Sequence, residues 1–127
     1  NMVSINTALE IDLTGQVCSE SIGSRMFSGT GGATDFAYGA LHSKGGRGII
    51  AMSSTAKQGT ISKIKLQLTP GSAVTISRNL VDIIITEYGA AYMRGRTLRE
   101  RAQNLIAIAH PDFRSELTEQ AKSLGLL

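Results

Sequence analysis

Leu80-Val81-Asp82-Ile83-Ile84-Ile85-Thr86 is the most β-branched run in the chain of 127 residues. Three successive isoleucines leave no polar side for water, so the run is predicted to be a strand buried on both faces. Upstream of it, Gly48 to Ser53 carries Ile49-Ile50-Ala51-Met52 and predicts a second buried strand. Between Ala33 and His42 the residues Phe36, Ala37, Ala40 and Leu41 suit one face of a helix. That helix is entered from a glycine-rich corner, Ser28-Gly29-Thr30-Gly31-Gly32, and stopped by Ser43-Lys44-Gly45-Gly46.

Working outward, Met2 to Ser19 is predicted to be β structure. Ala8 to Leu13 alternates apolar and charged residues, which places Leu9, Ile11 and Leu13 toward the core, and Thr14-Gly15-Gln16 makes the turn. After Gly59, Ile61 to Leu68 alternates in the same way and predicts a strand with Ile64, Leu66 and Leu68 on one face. Thr69-Pro70-Gly71-Ser72 is a turn, with proline presetting φ, and a short strand is expected from Ala73 to Ile76. Thr97-Leu98-Arg99-Glu100 is a capping box, whose hydroxyl and carboxylate satisfy amides of a helix's first turn. Leu98, Ala102, Leu105, Ile106 and Ala109 then keep helical spacing until Pro111 blocks it. A last helix is predicted with Asp112 as N-cap and a stripe of Phe113, Leu117, Ala121 and Leu124. Strands interleaved with few helices give an α/β domain with a mixed sheet.

Composition narrows the function. At this length one core is expected, burying roughly two thirds of the unfolded surface. Mean hydropathy is near zero, and no apolar run approaches the ~18 residues that span a bilayer. Without a secretory leader pattern, and with a single cysteine, the cytoplasm is the expected compartment. The net charge of +3 is dispersed, and three Phe, three Tyr and no Trp supply few stacking platforms, so nucleic acid is not expected as a partner.

Several residues carry possible chemistry, each with a plain alternative. The glycine corner leaves amide N–H groups accessible to an anion or a developing oxyanion, or it is simply a tight turn into a helix. It lacks the last glycine of a dinucleotide fingerprint and the lysine of a P-loop. Glu87, at the end of a buried strand, projects into a cleft or is merely capped or ion-paired. Asn6, an amide in an apolar strand, serves a ligand or satisfies neighbouring backbone. Cys18 has no histidine near it in sequence and is read as core. His42 and His110 are read as helix ends, and their spacing makes no metal site. Arg94, Arg96, Arg99 and Arg101 contact phosphates or form a solvated helix face. No Gly-x-Ser-x-Gly elbow is present.

In order along the chain, Ser4-Ile5-Asn6-Thr7-Ala8-Leu9-Glu10-Ile11-Asp12-Leu13-Thr14-Gly15-Gln16-Val17, Ser28-Gly29-Thr30-Gly31-Gly32 with Asp35-Phe36, Ser43-Lys44-Gly45-Gly46, Ser77-Arg78-Asn79, Thr86-Glu87-Tyr88-Gly89 and Ile108-Ala109-His110-Pro111-Asp112-Phe113-Arg114 resemble one family. It is the C-terminal domain of the acetyl-CoA hydrolases and 4-hydroxybutyrate CoA-transferases. The resemblance implies a CoA-transferase-like domain with a largely parallel mixed sheet flanked by helices, spanning residues 1–127 as a piece of a two-domain enzyme. Asn1 is no natural initiator and the strand pattern begins at once, which fits that expectation. It implies a ping-pong transfer of CoA from acetyl-CoA to a short carboxylic or hydroxycarboxylic acid through a glutamyl-CoA thioester. The nucleophilic glutamate lies upstream, so this chain alone is expected to be inactive. Coenzyme A enters as a substrate, and no cofactor is held permanently.

Carried onto these residues, Gly31 and Gly32 become backbone donors toward the thioester carbonyl or CoA. Asn6 and Glu87 line the acyl site, and Lys44 is a candidate CoA contact. Many transferases of this type have Gln where this chain has Ala33, so any side-chain amide contact there is lost and the resemblance leaves the acid substrate open. The missing N-terminal domain is the implied partner, and a homo-oligomer is expected because removing a partner domain exposes apolar surface. An acetyl-CoA hydrolase half and a stand-alone CoA-binding module are the alternatives.

Overall fold

The computed structural model describes all residues, Asn1–Leu127. In chain order the elements are β1 (Val3–Asn6), β2 (Glu10–Asp12), β3 (Val17–Cys18), β4 (Ser21–Ile22), β5 (Arg25–Met26), α1 (Ala33–His42), β6 (Arg47–Ala51), β7 (Thr55–Ala56), β8 (Ile61–Ser62), β9 (Ile64–Lys65), β10 (Ile83–Thr86), β11 (Gly89–Tyr92), α2 (Leu98–Ile108) and α3 (Pro111–Ser123). The isoleucine run lies inside the main sheet, whose order is β1-β6-β10-β11. The β1–β6 and β6–β10 pairs are parallel, and β11 returns antiparallel to β10 after a tight turn. The sheet is therefore mixed and largely parallel, as expected. A smaller sheet, β3-β2-β9, and two hairpins complete the β structure. No helix is long and apolar enough to cross a membrane.

Register sorts the main sheet's side chains into two faces. Ser4, Gly48, Ile50, Ile84 and Ala91 share one of them. Both neighbouring helices cover that face. A Cβ on Gly48 would stand 3.8 Å from the Ala40 Cβ of α1. On α2, the Ile108 carbonyl accepts a hydrogen bond of 2.6 Å from the Thr86 hydroxyl. Into the same layer pack Ile11, Leu13, Val17, Ile64 and Ile76, each wholly buried, together with Met93, Ala102, Leu105, Leu117 and Ala121. Burying each of the larger side chains is worth about 1.5–3 kcal/mol before the entropy of ordering it.

The opposite face corrects the expectation of a strand buried on both sides. Val3, Ile5 and Tyr92 stand exposed there, Ile49, Ala51 and Ile85 are half-buried, and only Ile83 is well covered. The reason is topological. Steps from β1 to β6 to β10 run in one direction, and right-handed crossovers that progress in one direction lie on the same side of a sheet.

Other differences have local causes. Ile61 to Leu68 is not one strand, because β8 pairs with β7 whereas β9 pairs with β2. The chain changes sheets at Lys63, where the Ser62 hydroxyl donates to the Ile64 carbonyl at 2.6 Å. Ala73 to Ile76 forms only an isolated bridge from Ile76 to Val17. Glu10 and Asp12, expected to face water, are buried. Asp12 Oδ1 accepts from the Thr14 and Gln16 amides at 2.9 and 3.0 Å, and so builds the turn that follows β2. Glu10 is paired with Lys65 at 3.1 Å.

The helix predictions hold in their main features. α1 has the expected bounds, and both arms of the Thr97–Glu100 capping box form. The N-cap of α3 is His110 rather than Asp112, because Pro111 takes the first helical position and His110 Nδ1 accepts from the Asp112 amide at 3.1 Å. Phe36, Leu98 and Leu124, assigned to apolar stripes, are exposed.

Candidate functional site

Parallel strands point their carboxyl ends to one edge of the sheet, and loops leaving that edge form a crevice. Here the edge carries Asn6 at the end of β1, Ser53 and Ser54 beyond β6, and Glu87 just after β10. α1 leads directly into β6, so it runs antiparallel to the strands. Its N-terminus, with Gly31 and Gly32, therefore lies at this same edge. Asn6, on the helix-covered face, lines a narrow crevice with Ala37, Ile50 and Ile76. Three of the regions expected to bind thus lie along one edge of the sheet.

Lys44 is not among them. It sits in the loop between α1 and β6, at the amino edge of the strands, where its neighbours Ser43 and Gly45 lie against Met2 and Asn1. The ten residues of α1, about 15 Å long, separate it from the glycine corner.

The corner has the form of a binding loop. Gly32 is the N-cap of α1 and offers no side-chain acceptor, so the first-turn amides keep their donors. Gly31 has φ +54°, in the left-handed region that favours glycine. A Cβ on Gly29 or Gly31 would meet nothing within 4 Å. The space in front of this backbone is therefore open. The loop is anchored behind: the Phe27 amide donates to the Glu20 carbonyl at 2.7 Å, and the Thr34 hydroxyl donates to the Thr75 carbonyl at 2.5 Å. Thr75 in turn accepts from the Ser19 amide and donates to the buried Glu20 carboxylate, both at 2.9 Å.

Glu87 is exposed, and its Oε1 accepts from the Ser54 amide at 2.7 Å, which ties the end of β10 to the loop after β6. Partial desolvation raises its pKa, but the Ser54 hydrogen bond and the nearby His110 outweigh this, so the carboxyl titrates below the ordinary glutamate value. Next to it, Tyr88 packs edge-on against His110 with ring centroids 5.6 Å apart, and the Arg114 guanidinium lies 5.4 Å from the Tyr88 centroid. Lys63 is half-buried on the same side. Burial pulls its pKa below the ordinary lysine value, and the charge of Glu87 opposes that.

Sequence reasoning missed Ser54, Lys63 and Arg114. Only Ser54 left a signal, a small polar pair ending a buried strand in the place that Glu87 holds after β10.

Cys18, Arg94, Arg96, Arg101 and His42 are engaged within the fold. Cys18 is wholly buried, its Sγ donating to the Ser21 carbonyl at 3.0 Å. Arg101 spends its guanidinium on the Thr14, Arg78 and Arg96 carbonyls. Arg94 reaches the Leu41 carbonyl, and Arg96 faces Glu100 at 3.9 Å. His42 closes α1, its Nδ1 2.9 Å from the Tyr38 carbonyl.

Residues 1–121 match the family model for the acetyl-CoA hydrolase/transferase C-terminal domain. The chain is 57% identical over 125 residues to a succinyl-CoA:cyclohexane-1-carboxylate CoA transferase of Geobacter metallireducens, covering 98% of this chain and 29% of that protein. It is 57% identical over 122 residues to a 4-hydroxybutyrate coenzyme A transferase of Clostridium kluyveri, covering 96% and 28%. An acetyl-CoA hydrolase of Saccharomyces cerevisiae is 32% identical over 120 residues, covering 93% and 22%. Among solved structures, RipA from Yersinia pestis superposes with a TM-score of 0.91 at 47% identity, covering 98% of this chain and 28% of that one. The chain thus spans less than a third of the length of these relatives.

Proposed function

The chain belongs to the acetyl-CoA hydrolase/transferase family, and from that membership we propose that it is the CoA-binding C-terminal domain of a longer CoA-transferase. The reaction moves CoA from acetyl-CoA to a short carboxylic or hydroxycarboxylic acid such as 4-hydroxybutyrate. A glutamate outside residues 1–127 attacks the acyl-CoA carbonyl, and the thiolate leaves and returns to the resulting anhydride. This frees the first acid and leaves a glutamyl-CoA thioester, which the acceptor carboxylate then opens in the reverse sense. The energy of the thioester is kept throughout, so CoA passes between acids without net hydrolysis.

The observation that supports the proposal is that strand order places Asn6, the Gly31–Gly32 backbone and Glu87 along the same carboxyl edge of the parallel strands. Amides at an uncapped helix N-terminus suit the oxygen that gains charge when a thioester carbonyl is attacked. Asn6 and Glu87 offer an amide and a hydrogen-bond acceptor to the acid, the second suited to a hydroxyl group on it. Lys44, on the far edge, is left out of the site.

Transfer is favoured over hydrolysis, since the relatives named as transferases are 57% identical and the hydrolase is 32% identical. Both outcomes share the thioester intermediate, and the exclusion of water from it decides between them. The bare face of the main sheet, with Val3, Ile5 and Ile85, supports a place for this domain inside a larger polypeptide, because parallel sheets are ordinarily covered on both sides. We assign the remainder of the same polypeptide to that face.

The test is turnover with acetyl-CoA and 4-hydroxybutyrate or butyrate, comparing the full reading frame with residues 1–127. Transfer by the full-length protein alone is expected. Transfer by residues 1–127 would overturn the proposal.

A further inference from the structure

Lys63 and Lys65 are two residues apart and differently placed. The Lys65 ammonium is committed, lying 3.1 Å from Glu10 Oε2 and 3.1 Å from the Thr69 hydroxyl. Lys63 is half-buried, yet none of the chain's ion pairs or side-chain hydrogen bonds uses its ammonium. Its backbone is held on both sides: the amide donates to the Ser54 carbonyl at 2.8 Å, and its carbonyl accepts from the Ile11 amide at 2.9 Å. Ser54 donates its own amide to Glu87 Oε1 at 2.7 Å. One residue therefore fixes both the carboxylate of Glu87 and the point from which the Lys63 side chain starts.

The stem is partly covered while the ammonium, engaged by no acceptor of the chain, is free to pair with an anion. Glu87 supplies field but no contact, since no oxygen of it comes within ion-pair distance. Its carboxylate is already turned to Ser54. Without a cation beside it, this carboxylate would repel an incoming acid.

We propose that Lys63 is a substrate-binding residue that holds an anionic oxygen group next to Glu87. The group is a carboxylate of the acid substrate or a phosphate of CoA, and both present the same charge and acceptor geometry to an ammonium. This inference rests on the function proposed above. It adds a cation that neither strand pattern nor motif spacing singled out.

Calorimetric titration of the full-length protein separates the two sources. The ligands are succinate, butyrate, CoA and 3′-dephospho-CoA, each tested on the wild type, Lys63→Met and Lys63→Arg. Lys63→Met is expected to weaken at least one anion tenfold or more, with an unchanged melting temperature, and Lys63→Arg to restore it to within a few-fold. A loss confined to succinate and butyrate identifies the carboxylate, and one confined to CoA identifies a phosphate. Dissociation constants within twofold of wild type for all four ligands would overturn the assignment, as would an equal loss in Lys63→Arg. Wild-type turnover is measured alongside: its absence would sink the transferase proposal while the binding comparison still decides the role of Lys63.

Discussion

Gly31→Val in the full-length protein is expected to lower kcat/KM for CoA transfer by about two to three orders of magnitude, the usual effect of losing a backbone donor to a developing oxyanion. At φ +54° a β-branched side chain is strained, so the peptide would rotate and turn its amide away. The added methyl groups would also enter space that no atom of the chain occupies within 4 Å. Because the corner is exposed and anchored through Glu20 and Thr75, the melting temperature should fall by only a few degrees. Gly31→Ala, with less strain and less bulk, should fall between the two. A rate within fivefold of wild type for Gly31→Val would mean that the corner is only a turn into α1.

Lys65→Met should be the most destabilising single change outside the apolar core. Glu10 is wholly buried, one of its oxygens has no partner, and the other is held by Lys65 and Thr69. Removing the cation leaves a buried carboxylate compensated only by a threonine. Breaking such a pair costs about 3–5 kcal/mol when both members are deeply buried. The Lys65 side chain is 30% exposed, so about 3 kcal/mol is expected, or roughly 10–15 °C in melting temperature for a domain of this size. Urea or thermal unfolding of wild type, Lys65→Met and Glu10→Leu/Lys65→Met measures it. The double variant should recover most of the loss, because the unpaired charge goes with it. A loss below 1 kcal/mol in the single variant would show that the Glu10–Lys65 pair is well solvated.

What the sequence disclosed, and what it hid, follows from how far each signal reaches along the chain. The isoleucine run, the bounds of α1 and the Thr97–Glu100 box are local, and all three are seen in the fold. Alternation over Ile61 to Leu68 marked the short strands Ile61–Ser62 and Ile64–Lys65 but overran them to Leu68, and it carried no information on their partners, so the change of sheets at Lys63 could not be seen. Glu10 and Asp12 alternate like solvent-facing residues. Their burial depends on Lys65 and on the turn amides, and no period in the sequence encodes that pairing. Lys44 follows the glycine corner closely in sequence, yet a ten-residue helix carries it to the opposite edge of the sheet. Ser54 and Glu87 are 33 residues apart and meet only because β6 and β10 are parallel neighbours. The family was legible from ordered motifs, whereas the contacts around Glu87 required the fold.

The central claim is that residues 1–127 bind and orient CoA and the acid while the covalent step takes place elsewhere in the polypeptide. The direct measurement is to incubate the full-length protein with acetyl-CoA, digest it, and locate covalently bound CoA by mass spectrometry. The expected result is a CoA thioester on a glutamate outside residues 1–127. CoA attached to Glu87, or to any peptide from residues 1–127, would contradict it.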